Sequence, residues 1–139
     1  DENIFRMYVS VRAKFTEGEK EILRPGDIRL LRRMVRDYKF RNYDPVETLE
    51  YWHNVRANER VNMDPYRDAV DLKMDNTIDY EVCVWRELLN ELLSPEHKKE
   101  IQDHPELVHI FDGLLHFEQM SFNLIPDNSL LREFIGNRV

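Results

Sequence analysis

The sequence is poor in cysteine and has no long apolar segment, and each scarcity excludes a class of protein. Cys83 is the only cysteine, so no disulfide forms within the chain, and we expect a reducing, cytoplasmic location. No apolar run approaches the roughly 20 residues that a membrane helix needs, so we expect no membrane partner. The first residues are Asp1, Glu2 and Asn3, without the basic and apolar regions of a leader, and we predict no signal or transit peptide.

Glycine is also scarce, and its positions exclude a phosphate-binding loop within these residues. The loop that cradles the phosphates of ATP has the form G-x-x-x-x-G-K-[ST], in which the glycines let backbone N–H groups approach the phosphates. The glycines of the chain do not form this pattern; they are Gly18, Gly26, Gly113 and Gly136. We therefore expect no triphosphate cradle in the 139 residues.

The remaining composition is that of a folded protein. Hydrophobic residues make up 42% and charged residues 34%, a balance that argues against disorder. A chain of 139 residues is long enough for one domain with a single hydrophobic core, and we predict one domain over residues 1–139. The net charge of -7 disfavours non-specific nucleic-acid binding, so we expect no nucleic-acid partner.

Hydrophobic periodicity predicts a mainly α chain with a few short β-strands. A near-continuous apolar run at residues 4–11 predicts a buried strand, which is typical of a parallel sheet. Residues 16–26 are polar, end in Pro-Gly and predict a loop. A second strand is possible at residues 69–74. The predicted helices cover residues 28–40, 45–60 and 78–93, a short stretch after Ser94-Pro95, residues 105–120, and a last turn before Gly136.

The helix predicted at residues 28–40, with Asp27 as its expected N-cap, has two contrasting faces. The packed face repeats at i, i+3, i+4 and i+7, and consists of Leu31, Met34, Val35 and Tyr38. At about 100° per residue, the opposite face carries Arg29, Arg32, Arg33 and Arg36. Guanidinium groups bind phosphate oxygens in bidentate fashion, so this face is a candidate site for an anionic ligand. The alternative is a solvated basic surface with weak ion pairs.

The other polar groups give weaker signals. The five histidines show no spacing typical of metal ligands, and we predict no metal site from them. Cys83 lies among apolar residues and is expected to be packed rather than nucleophilic. Four aspartates between residues 68 and 79 suit either magnesium binding or, as the more ordinary alternative, turns and caps.

Residues 27–41, DIRLLRRMVRDYKFR, resemble the lid of uridine kinases and their phosphoribulokinase-like relatives, which reads roughly D-x-R-L-x-R-R-x-x-R-D-x-x-x-R-G. The likeness continues through T-L-E-Y-W at residues 48–52 and through single positions up to Glu81. The tail IPDNSLLREFIG at residues 125–136 looks like the end of a long-form bacterial subgroup. The likeness is weakest between residues 94 and 123. The chain departs from the family at Asn42, His53, Ala57-Asn58 and Asp75.

This resemblance implies a C-terminal fragment of a three-layer α/β P-loop kinase, with a strand at 4–11, a lid at 27–42 and a helical remainder at 44–139. The family transfers the γ-phosphoryl of ATP to a nucleoside 5′-hydroxyl with Mg²⁺, using a P-loop that would precede Asp1. The fragment is therefore expected to be inactive alone. By the likeness, Arg33 and Arg36 are catalytic and reach the transferring phosphoryl. Cofactor contacts would involve Arg29, Arg32 and Arg41, with Asp37 holding an arginine by pairing.

One further alternative stays open, together with a prediction about assembly. In this alternative interpretation, the chain is a non-catalytic helical binding module that uses the arginine face for an anionic ligand or a protein partner. In the kinase fragment, an unpaired sheet edge at residues 4–11 would favour a homodimer.

Overall fold

The computed structural model describes residues 3–136, so the ends of the predicted domain, residues 1–2 and 137–139, lie outside the described residues. Within residues 3–136 the chain is mainly helical, with short strands in two small sheets. The expected fold class is thus confirmed at the level of its secondary structure. The helices are α1 (Pro25–Arg41), α2 (Pro45–Asn62), α3 (Glu81–Leu92), α4 (Pro95–Ile101), α5 (Pro105–Leu114) and α6 (Arg132–Ile135).

Local sequence determines most of the helix boundaries. Four helices begin with proline, whose fixed φ suits the first helical position and whose missing N–H costs no hydrogen bond there. At α2, the Asp44 carboxylate accepts from the Glu47 N–H at 2.8 Å and the Glu47 side chain accepts from the Asp44 N–H at 3.0 Å. The starts of α2, α4 and α5, and the end of α6 at Gly136 with φ 79°, agree with the predictions.

The start of α1 differs from the prediction. Pro25 and Gly26 were expected in a loop, with Asp27 as N-cap, but they form the first turn of the helix and Arg24 is the cap. Asp27 is the third helical residue, and its carboxylate accepts from the Arg24 backbone N–H at 2.8 Å and from the Arg24 guanidinium. The same Pro-Gly pair that is typical of a turn is thus also a good helix start. The helix ends at Asn42, which adopts the left-handed conformation with φ 57°.

The loop predicted at residues 16–26 is a β-hairpin in the structure. Strands β2 (Phe15–Glu17) and β3 (Lys20–Leu23) pair antiparallel, and Gly18 takes φ 59° in the turn between them. Ile22 and Leu23 are buried, and they pack against α5. The prediction was wrong because Ile22 and Leu23 are the only apolar residues between positions 16 and 26, so the segment lacks the alternation typical of strands.

The second sheet is a parallel pair of strands, β1 (Met7–Ser10) and β4 (Leu72–Asp75). Both are shorter than the strands predicted at residues 4–11 and 69–74. The prediction of a buried strand was wrong: Met7 is 49% exposed and Val9 50% exposed. Among the described residues no further strand or helix covers the apolar side chains of this pair.

The buried apolar residues form one cluster built mainly from α1, α3 and α5. Helix α3 contributes Val82, Trp85 and Leu88 to this cluster, and all three are buried. Helix α5 ends at Leu114, before the predicted end at residue 120, and the chain continues in turns. Leu115, which the predicted helix at residues 105–120 would include, lies beyond the end of α5 and is 63% exposed.

Candidate functional site

The four arginines of α1 predicted to share a face do line a common space. A shallow cavity of about 160 Å³ is bounded by Arg29, Arg32, Arg33, Arg36, Trp52 and Phe134, and is called the arginine cavity below. The i, i+3, i+4 and i+7 spacing explains the grouping, because residues at these intervals lie on one side of a helix. Their individual environments differ, however, and so do the roles that they can serve.

Arg32 belongs to a buried, structural ion pair and is not an exposed cation. Its Nε donates to the Glu81 carboxylate at 2.6 Å, and its Nη2 donates to the same carboxylate at 2.8 Å. The Glu81 side chain is fully buried and also accepts from the indole N–H of Trp85 at 3.1 Å. Both charges are thus neutralised inside the protein. This corrects the prediction that all four guanidiniums face outward.

Arg29 is held in a second ion pair, which joins α1 to α2. The Glu59 carboxylate accepts hydrogen bonds from both Arg29 and Arg56. Burial of Glu59 acts to raise the pKa of its carboxyl group, but the two guanidiniums outweigh this and the net effect lowers the pKa. The ring of Trp52 lies beneath both arginines, with their Cζ atoms 5.1 and 6.0 Å from the ring centroid.

Arg33 has no carboxylate within ion-pair distance among residues 3–136. Its guanidinium carbon lies 5.7 Å from the centroid of the Trp52 ring. Burial, together with the positive charge of Arg36, lowers the pKa of Arg33. A guanidinium stays charged despite such a shift. Arg33 is therefore a half-buried cation beside another cation, an environment that an added anion would relieve.

Asp37 pairs with two arginines at the C-terminal half of α1. Its buried carboxylate accepts from the Arg36 Nε and from the Arg41 Nη1, each at 3.1 Å. The expected pairing of Asp37 with an arginine is confirmed as geometry. Direct contact of Asp37, Arg36 or Arg41 with a cofactor stays a prediction.

A second cationic space adjoins the arginine cavity and was not predicted. It has a volume of about 330 Å³, lies beside Tyr8 and Ser10, and is called the basic cavity. Its basic side chains come from well-separated segments: Arg12, Arg29, Arg56, Arg67 and Lys73. Arg29 lines both cavities, so the two are contiguous at this residue. No local pattern could have revealed this cluster, because only the tertiary structure brings these residues together.

Aspartates between residues 68 and 79 accept hydrogen bonds from neighbouring groups and stabilise local turns. Asp71 accepts from the backbone N–H of Arg6 at 2.7 Å, and Asp75 accepts from the backbone N–H of Thr77 at 2.9 Å. Within residues 3–136, no three His, Cys, Asp or Glu side chains are grouped so that they could hold a metal ion.

In the same range no helix is both long and apolar enough to span a bilayer.

Comparisons with protein-family models, with curated proteins and with solved structures find no match for this chain. The resemblance to uridine kinases therefore stays a prediction that rests on the residues quoted for it.

Proposed function

We propose that this chain is the lid-bearing, C-terminal portion of a uridine-kinase-like nucleoside kinase. In the proposed reaction, the whole enzyme moves the γ-phosphoryl of ATP to a nucleoside 5′-hydroxyl with Mg²⁺. The observation that carries the proposal is Arg33, a half-buried guanidinium that has no carboxylate partner among the described residues and lies next to Arg36. A phosphoryl oxygen would supply the missing negative charge.

The paired arginines of α1 have a different part in this proposal. The pairs Arg29–Glu59 and Arg32–Glu81 tie the first half of α1 to α2 and α3. A rigid helix of this kind holds Arg33 in a defined position. Phosphoryl transfer depends mainly on positioning and on charge stabilisation, so a preorganised arginine is what the reaction requires of a lid.

The exposed parallel strands give independent support. Parallel strands are ordinarily buried within larger sheets, and two strands alone are marginally stable in water. β1 and β4 are parallel, and their apolar side chains Met7, Val9, Leu72 and Met74 are exposed. We infer that further strands, and the P-loop with them, precede Asp1 in the complete protein.

The first test is the coding sequence upstream of the Asp1 codon. The proposal expects an in-frame G-x-x-x-x-G-K-[ST] pattern within roughly the length of one domain. The protein that carries it should phosphorylate uridine or cytidine with ATP and Mg²⁺. Arg33→Gln should lower kcat by a factor on the order of 10³ or more, because the charge would act in the transition state. An initiation codon directly before the Asp1 codon, with no P-loop upstream, would refute the kinase proposal. Kinase activity in the 139-residue chain alone would instead refute the proposal that the phosphate-binding loop lies outside these residues.

A second prediction concerns the 139-residue chain itself. We expect tripolyphosphate to bind it weakly in calorimetry, and Arg33→Gln to weaken binding about tenfold, since a charge-assisted hydrogen bond is lost. Arg60→Gln is the matched control, because it removes one positive charge from α2 but lines neither the arginine cavity nor the basic cavity. Equal losses in the two variants would indicate a non-specific charge effect.

The internal ion pairs of Arg29 and Arg32 favour one alternative function. If most arginines of α1 serve stability, the chain is a non-catalytic helical module that binds an anionic ligand or partner through Arg33 and Arg36. This alternative expects no upstream P-loop, and expects that alanine at both positions weakens a partner without changing any reaction.

A further inference from the structure

A third cavity lies among α3, α4 and α5 and differs in chemistry from the two cationic ones. Its volume is about 280 Å³ and it shares no lining residue with the arginine cavity or the basic cavity. Most of its wall is apolar, supplied by Leu89, Leu93, Ile101, Phe111, Leu114 and Leu115. An apolar cleft with a few polar groups is the usual form of a small-molecule site.

The polar groups of this cavity carry a net positive charge. Arg86 and Lys98 line it together with a single carboxylate, Asp112. The amides of Asn90 and Gln102 complete the polar lining. The cavity thus has one more positive charge than negative charge beside an apolar wall. This combination suits a ligand with one negative charge and an apolar body. It does not suit a polyphosphate, which needs several cations.

Arg86 also has an unmet hydrogen-bonding requirement. Its Nη1 donates to the backbone carbonyl of Phe117, which anchors the guanidinium. Its Nε is buried and has no acceptor among the described residues. A buried donor without an acceptor is costly, and a fork-shaped guanidinium is well matched to a carboxylate. Arg86 is therefore an anchored cation at the wall of an apolar cavity.

We propose that the cavity among α3, α4 and α5 binds a small apolar monocarboxylate, with Arg86 and Lys98 recognising the carboxylate and the leucine-rich wall burying the apolar body. The site is independent of the proposed kinase function. It involves α4 and α5, which lie in the segment where the resemblance to uridine kinases is weakest. A ligand here would bridge three helices, and so would stabilise their packing.

The test uses the ¹⁵N-labelled 139-residue chain titrated with hexanoate and, in parallel, with hexan-1-ol, which has a similar apolar body and no charge. We expect saturable amide shifts at residues of the cavity with hexanoate and much weaker binding of the alcohol. Lys98→Gln should weaken hexanoate about threefold or more, as expected for a partly exposed charge. Lys99→Gln, the neighbouring exposed lysine on α4, does not line the cavity and should leave the affinity unchanged.

Arg86→Gln should weaken hexanoate further, and circular dichroism establishes whether that variant still folds. If it does not, the pair of lysine variants decides the question alone, since both side chains are exposed. The proposal is overturned by any of three results: no saturable shift, equal affinity for hexanoate and hexan-1-ol, or shifts confined to Trp52 and its neighbours at the arginine cavity.

Discussion

Single side chains at the arginine cavity have roles that their spacing alone does not separate. Arg32 and Arg33 are neighbours in sequence. Arg32 is buried in an ion pair with Glu81, whereas Arg33 has no carboxylate within ion-pair distance in the described part of the chain. A buried ion pair contributes little net stability because of its desolvation cost, but it holds a side chain in one position. At the residue scale, the acidic partners therefore decide which arginines are available to a ligand.

Glu59 permits a test of this view through pH. Its lowered pKa means that Glu59 stabilises the fold above the unfolded pKa of about 4.3, and that this contribution is lost as the pH falls through the lower folded value. We expect Glu59→Gln to lower the free energy of unfolding by about 1–3 kcal/mol at pH 7.

The difference between Glu59→Gln and the parent chain should persist down to about pH 4 and shrink below it. Urea denaturation at a series of pH values measures it. Glu50→Gln, an exposed carboxylate on the same helix, is the control and should change stability little. A difference that stays constant from neutral pH to strong acid would show that the Glu59 charge has no such role.

At the scale of elements, the packing of α5 on the β2–β3 hairpin depends on a glycine. A Cβ placed on Gly113 would lie 2.8 Å from Leu23 Cδ2 and 3.0 Å from the Ile22 carbonyl oxygen. The close approach leaves no room for a side chain, because one of the two neighbours is backbone. The hairpin, which sequence patterns assigned to a loop, is thus held against the helical core at this contact.

We therefore expect Gly113→Ala to destabilise the protein by about 1–3 kcal/mol through overpacking. Gly26→Ala is a matched control in α1, since a Cβ there meets nothing within 4 Å. Alanine is the better helix former, so Gly26→Ala should be neutral or stabilising by about 0.5–1 kcal/mol. Thermal unfolding of both variants measures this, and similar midpoints for the two would contradict the proposed contact.

At the scale of the whole molecule, the two-stranded parallel sheet is unusual because it exposes apolar side chains that parallel sheets ordinarily bury. Met7 lies opposite Leu72 and Val9 opposite Met74, and all four side chains are exposed. Unpaired strand edges with an exposed apolar face favour pairing with another chain. In the absence of other polypeptide, a second copy of the chain is the partner that we expect.

The 139-residue chain should accordingly show concentration-dependent association in sedimentation velocity. Val9→Lys should abolish it, because a lysine on the exposed strand face opposes edge pairing. Val61→Lys, at a 70% exposed valine in α2, makes the same chemical change elsewhere and should leave association intact. A monomer at all concentrations, or equal effects of the two lysines, would refute the role of this sheet.

Local sequence determined the starts of α2, α4 and α5, the left-handed end of α1 at Asn42, and the grouping of arginines on one side of α1, since capping and helical spacing act over a few residues. Tertiary structure alone decided which arginines are paired. Glu59 lies 30 residues from Arg29, and Glu81 lies 49 residues from Arg32. Tertiary structure also decided which residues line the basic cavity and how far the side chains of β1 are exposed. Burial and ion pairing depend on distant chain segments meeting in space, which no local pattern encodes.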